Sequence, residues 1–181
     1  MRDDRLEKLA DVLVNYSTEV TEGDIVAISA EDCALPFIQA VARAAVKKGA
    51  LVEYYVDVPE VDAEVLKHGS REQYATPNIR FGACAASDVW ISAWGSRNTK
   101  MMQSIPSERL KERRLANREN RKKYSDRMGS GELRWCGTQF PTEADAQNAG
   151  MSLEEYEDFV YHAGFLYEAD PVAKWKEMEK K

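Results

Sequence analysis

The sequence predicts an α/β fold: a mainly parallel sheet flanked by helices, with a helical C-terminal segment. Three observations carry this. Apolar runs of strand length alternate with amphipathic stretches of helical period along most of the chain. The first two runs are separated by one helix-length segment, the spacing of a right-handed parallel strand–helix–strand unit. Beyond Thr142 the strand pattern stops and only helical pattern remains.

Taken in order, Leu6, Leu9, Ala10, Leu13, Val14 and Tyr16 recur at helical spacing, which predicts a helix over Asp3–Tyr16 with acidic Asp3 and Asp4 at its start. Glu22-Gly23-Asp24 breaks it, and Ile25–Ser29 reads as a buried strand. A helix over Leu35–Lys48 follows, with Phe37, Ile38, Val41, Ala45 and Val46 inward and Gly49 as its stop. Leu51–Val58 is the next strand, ended by Pro59. Val61–Lys67 and Arg71–Tyr74 read as short helices, and Ser87–Trp94 as a third strand. Glu108–Arg127 is polar and helical, with Leu110, Leu115, Tyr124 and Met128 as sparse anchors. Gly129-Ser130-Gly131 punctuates it before a fourth strand, Leu133–Thr138. The last helix, Val172–Lys181, is entered through Asp170-Pro171.

A chain of 181 residues fits one domain and buries a core without disulfides. Its net charge of −6 argues against nucleic acid as a partner, because phosphate binding draws on excess Lys and Arg. Charge is nevertheless uneven. Lys100–Arg127 is strongly basic, whereas Pro141–Asp170 contains no Lys or Arg. Such runs read as solvated helix faces of opposite sign, or as segments that pair with each other or with another domain. Cys33, Cys84 and Cys136 are far apart and contain no Cys-x-x-Cys pair, which excludes a zinc ribbon and fits a reducing compartment. Cys84, in the small-residue run Phe81–Ala86, reads as buried packing. The N-terminus lacks an apolar run of the signal-peptide kind. No stretch reaches the roughly 20 apolar residues of a membrane span. No membrane association is expected, and the expected location is cytoplasmic.

The turn after the first strand, Ala30–Pro36, has no glycine and carries Glu31 and Asp32, which would repel a pyrophosphate. A dinucleotide site is therefore not expected, and a Walker-type loop is absent. Metal hydrolysis requires several converging His, Asp, Glu or Cys ligands. His68, before Gly69, reads as a helix C-terminal cap, and His162 as a packed or surface residue among aromatics. Glu154, Glu155 and Asp158 read as exposed helical carboxylates, so neither a metal ligand nor a catalytic residue is assigned. The best local binding candidate is the loop Trp94–Thr99, because ligands of open parallel sheets bind beyond the carboxyl ends of strands. There Arg97 suits a carboxylate, Asn98 a peptide group and Trp94 an apolar side chain. An ordinary polar loop over a packed tryptophan explains the same residues.

The block Pro141-Thr142, Ala146-Gln147 and Ala149-Gly150-Met151-Ser152, running into the acidic-aromatic stretch Leu153–Val160, reads as a strand end, a short helix, a tight turn and a second capped helix. It resembles the thermophilic metallo-aminopeptidase family, aminopeptidase T type. Leu6–Ser17 with Gly23-Asp24, and Asp170–Trp175, are similar to that family's opening and exit segments. The resemblance implies an N-terminal α/β domain that walls the cleft of a metal-dependent exopeptidase removing N-terminal amino acids from peptides. It also implies two divalent ions, zinc, cobalt or similar, held by a C-terminal catalytic domain, and it admits a homodimer of the parent. None of those ligands has a counterpart in this sequence. The chain is accordingly expected to be a single N-terminal domain without the catalytic part, inactive alone, either truncated or a natural fragment. The alternative is a non-enzymatic binding module using the Trp94–Thr99 loop or the basic Arg113–Lys123 segment.

Overall fold

Four strands, β1 (Ile25–Glu31), β2 (Leu51–Asp57), β3 (Val89–Trp94) and β4 (Arg134–Gln139), pair side by side in the order β2-β1-β3-β4, all parallel. The structure, a computed structural model, describes residues 3–180. The helices are α1 (Asp4–Val12), α2 (Leu35–Lys47), α3 (Pro59–His68), α4 (Arg71–Tyr74), α5 (Ile79–Cys84), α6 (Ser107–Ala116), α7 (Arg118–Ser130), α8 (Glu143–Ala149), α9 (Leu153–Ala163) and α10 (Pro171–Met178). The α/β reading thus holds, including the helical C-terminal segment.

Alternation along the strands divides the sheet into two faces. Val26, Ile28 and Ala30 of β1 and Val89, Ile91 and Ala93 of β3 join one apolar core with Phe37, Ile38 and Val41 of α2 and with Leu6, Leu9 and Ala10 of α1. Tyr161 of α9 and Leu166 beyond it complete that core. Phe37 is 1% exposed, and Ile28 and Ile91 are fully buried. Burial of this kind, at about 25 cal/mol per Å² of apolar area, is what holds the sheet against the helices.

Local chemistry sets the element ends. Asp3 caps α1, its side chain accepting from the Arg5 amide at 2.9 Å. After Val12 the helix widens into a π-helical turn, Leu13–Ser17, closed where the Thr18 hydroxyl donates to the Leu13 carbonyl at 2.8 Å. Gly49 takes a left-handed φ of 78° just past α2, as its position in the sequence implies. Thr142 caps α8, and Ser152 with Glu155 forms a capping box on α9. The Pro141–Val160 block therefore folds as its pattern indicates. The expected end of the last helix at Lys181 lies outside the described residues.

Two expectations need correction, and one helix was not anticipated. The polar stretch Glu108–Arg127 is two helices, not one. Asn117 breaks it, buried, its side-chain Oδ1 accepting from the Asn78 backbone amide at 2.8 Å and its Nδ2 donating to the Arg113 carbonyl at 2.9 Å. Val46 is 62% exposed, because Val41 and Ala45 take the sheet-facing side of α2. Helix α5 lies where glycine and small residues hid a helical turn; Asn78 caps it, accepting from Phe81 N at 3.1 Å. Within it Cys84 is buried, and burial pushes its thiol up to about 11, in keeping with a packing role.

The basic run is tied mainly inward where it is tied at all. Arg109 donates to the Leu66 and Gly69 carbonyls at 2.9 and 3.1 Å. Arg113 pairs with Asp62 at 2.7 Å, and Arg127 donates to the Ala85 and Ser87 carbonyls. Arg114, Arg118 and Lys123 are exposed. Among the described residues no ion pair joins this run to the acidic Pro141–Asp170 segment, where Glu157 instead pairs with Arg5 at 2.9 Å.

Candidate functional site at the carboxyl ends of the strands

The second face of the sheet is read off the register. Ala27, Trp90 and Trp135 form one row across β1, β3 and β4. Ser29, Ser92 and Gly137 form the next. The last row sets Asp57 beside Glu31, and Trp94 beside Gln139, at the carboxyl ends of the strands. Serines and tryptophans thus stand where the core face has valines and isoleucines. The Trp90 indole donates to the Ser29 hydroxyl at 2.8 Å, which satisfies the buried end of the ring. Phe81 of α5 and Tyr124 of α7 meet Trp90 edge-on, with ring centroids 5.4 and 5.2 Å away. Gly137 leaves room for Trp94: a Cβ there would come within 2.8 Å of the Trp94 ring. That ring lies against β4 with 60% of the residue exposed.

Two adjoining cavities open on this face. One, of about 390 Å³, has Glu31, Asp57, Arg80 and Asp145 among its lining residues. Arg80 is ion-paired with Asp57. Asp145 accepts from the Thr142 hydroxyl at 2.7 Å and the Gln139 amide at 3.1 Å. Glu31 differs, for its Oε2 is buried with no hydrogen-bond partner. Burial pushes the Glu31 carboxyl above its ordinary range; a hydrogen bond from Ser96 opposes this, and the charges of Asp32, Asp145 and Glu60 add to it. The second cavity, also about 390 Å³, shares Phe81, Trp90, Ser92 and Trp94 with the first and adds Arg121, Tyr124 and Trp135. The Arg121 guanidinium stands 5.7 Å from the Phe81 ring centroid and, among the described residues, pairs with no carboxylate.

The Trp94–Thr99 loop lies beyond β3, at the carboxyl end of the sheet. Its three candidate residues are not gathered on one point. Trp94 faces the shared wall of the two cavities. Arg97 already holds a carboxylate: its Nε and one terminal nitrogen donate to Asp32 at 3.1 Å each, which ties the loop after β3 to the turn after β1. Asn98 spends its side-chain oxygen on the Lys100 amide at 2.9 Å, within its own loop. Sequence reasoning passed over Asp57 and Arg80, read Glu31 only as a charge that repels a pyrophosphate, and placed Arg121 only within the basic Arg113–Lys123 segment. The available signal was position: Glu31 and Asp57 each follow the last apolar residue of a strand. Arg80 gave no signal, since the helix carrying it was not anticipated.

The comparisons with known proteins now bear on this geometry. A model of a family described as thermophilic metalloprotease (M29) matches residues 2–181. The chain belongs to that family. Among solved structures, wild-type AmpT from Thermus thermophilus is similar, with a TM-score of 0.75 and 21% sequence identity. That match covers 96% of this chain and 45% of the AmpT chain, so the present chain spans less than half the length of that neighbour. At this identity the likeness establishes the α/β fold. No curated protein matches the chain.

Membership of a metalloprotease family raises the question of ligands. Among the described residues no three His, Cys, Asp or Glu side chains are grouped so as to hold a metal ion. His68 is the last residue of α3, at its negative end. His162 is exposed, its Nδ1 within 2.8 Å of the Asp158 carbonyl and its ring 4.2 Å from that of Tyr167. The contacts given for both histidines lie outside the Glu31 cavity, so these residues do not fit the metal that a metalloprotease family implies. Among the described residues no helix is long and apolar enough to cross a membrane.

Proposed function

We propose that this chain is the N-terminal, cleft-walling α/β domain of a metal-dependent aminopeptidase. On this reading a longer parent removes N-terminal amino acids from peptides in the cytoplasm. The two divalent ions sit in a further, C-terminal domain, and the chain alone does not hydrolyse peptides. The observation that carries the reading is the family match over residues 2–181 in a chain whose described residues offer no metal ligand set. Without such a centre, the described residues lack the metal that would polarise a peptide carbonyl or activate water. Trp94, Arg97 and Asn98 are proposed to face the parent's cleft. The parent admits a homodimer. Nucleic acid is not a partner.

The test is hydrolysis of aminoacyl-arylamides and dipeptides with zinc, cobalt or manganese supplied. The purified chain should release no amino acid, and the parent should do so and be stopped by chelators. Metal-dependent turnover by the chain, scaling with its purity, overturns the reading. The exposed Trp94 ring and the exposed Arg118 and Lys123 favour one rival, a non-enzymatic binding module. A parent that captures peptides without cleaving them would establish that rival.

A further inference from the structure

Helix α7 covers part of the open face with a side that is aromatic and cationic. Arg121, Tyr124 and Ser125 stand three and four positions apart on it, hence on one side of the helix. Alternation along β3 turns Trp90, Ser92 and Trp94 toward the same space, and Trp135 of β4 stands beside Trp90 in register. With Phe81 these side chains line the cavity of about 390 Å³ under α7. Tyr124 meets Trp90 and Trp135 edge-on, with ring centroids 5.2 and 6.5 Å away. A closed core would bury such rings, yet Trp94 and Trp135 are both exposed. The polar groups around them are unspent. Among the described residues the Arg121 guanidinium forms no ion pair, and the hydroxyls of Ser92, Tyr124 and Ser125 have no hydrogen-bond partner. The same holds for the indole N–H groups of Trp94 and Trp135, whereas that of Trp90 is taken by Ser29. No Asp or Glu lines this cavity. Arg118 and Lys123 of the same helix, exposed and without a carboxylate among the described residues, add to its positive field.

We propose that the cavity under α7 is a binding site for a small aromatic monocarboxylate, its ring against the Trp90–Trp135 wall and its carboxylate at Arg121. A ligand ring gains edge-on or offset contact with rings that water now covers. The planar guanidinium fork matches a carboxylate, and the unspent hydroxyl and indole donors can share its oxygens. An ammonium group finds no counter-ion in this lining, which sets a free amino acid or a peptide apart from this ligand. A phosphate ester would bring a second negative charge toward the adjoining cavity, where Glu31, Asp57 and Asp145 outnumber Arg80. The volume lies near the lower end for ligand pockets and suits one or two rings. Nothing in this site draws on the peptidase reading.

The experiment titrates the chain with hydrocinnamate, followed by calorimetry and tryptophan fluorescence. Saturable binding is expected, with a dissociation constant of about 1 mM or tighter, the range open to a ligand of this size. Hydrocinnamamide keeps the ring and loses the charge, and should bind about tenfold more weakly. Phenethylamine, with the charge inverted, should bind more weakly still. Arg121→Gln should equalise acid and amide, and Trp135→Leu should weaken both by a similar factor. Both side chains are exposed, so either variant should keep the fold, and a cooperative melt checks it. Trp175 lines a different groove, so Trp175→Phe should change neither affinity. Equal binding of acid, amide and amine would mean unselective adsorption to exposed rings and would overturn the proposal. So would the absence of binding, an undiminished preference for the acid in Arg121→Gln, or a loss of affinity in Trp175→Phe.

Discussion

The two faces of the sheet use alternate residues of the same strands and serve opposite ends. On the helix-packed side, Val26, Ile28, Val89 and Ile91 have no exposed surface. On the other side, their immediate neighbours Ser29, Trp90, Ser92 and Trp94 border cavities, and exposure rises toward the carboxyl ends until Trp94 is mostly in solvent. A period of two thus places stability on one side and a polar, aromatic surface on the other. The comparison teaches that this surface can change with little effect on the fold, whereas the core face cannot.

The largest effect that tests this division comes from the core. Phe37 of α2 packs against both β1 and α1 through the apolar cluster and is 1% exposed. Phe37→Ala should lower unfolding free energy by about 3–5 kcal/mol, the transfer and cavity cost of a buried ring. Against a total of about 5–15 kcal/mol, that brings the domain near its threshold. Urea unfolding measures it. A loss below about 1 kcal/mol would mean that the core face is not where stability resides.

The open face should give an effect of the opposite sign. Burial raises the folded-state pKa of Glu31. A raised carboxyl favours folding fully below its unfolded pKa, and that contribution is lost as pH rises through the folded value. Near neutral pH the ionised Glu31 therefore opposes folding. Glu31→Gln should stabilise the domain there by about 0.5 kcal/mol, a small figure because solvent screens the site. The gap between variant and wild type should close as pH falls below the ordinary carboxylate range. Thermal melts at neutral and acid pH check both statements. A variant less stable at neutral pH would show Glu31 to be a structural tie and would dissolve the contrast between the faces.

How far the sequence discloses this molecule follows the same division. Ile25–Ser29 and Leu51–Val58 are legible because apolar runs bounded by glycine and proline leave few alternatives, and the capping residues Thr142 and Ser152 announce α8 and α9. The missed features depend on partners distant in sequence. Asn117 breaks a helix because of Asn78. Helix α5 forms in a run of small residues that packs against the aromatic face. The carboxylates Glu31 and Asp57 face each other only through strand register. The loop Trp94–Thr99 was placed by a rule of topology, so its position was legible while its contacts were not. Asp32, read as a charge that repels phosphate, is the partner of Arg97.

That pair supplies the smallest expected effect. Arg97 holds Asp32 in a two-bonded ion pair, yet its side chain is 58% exposed. Water and salt screen such a pair, and fixing two mobile side chains costs entropy of similar size to the attraction. Arg97→Ala should therefore leave the melting temperature unchanged within error, at low and at high salt alike. On the proposed reading, its consequence belongs to a longer parent enzyme. With the loop in the cleft, freeing Asp32 and removing the guanidinium should raise the Michaelis constant for peptides and leave kcat nearly as it was, the pattern of lost ground-state binding. Unchanged kinetics would make the pair a surface contact without function. A stability loss approaching that of Phe37→Ala would instead show that the loop clamps β1 to β3, and the open face would then have to be counted as part of the fold's support.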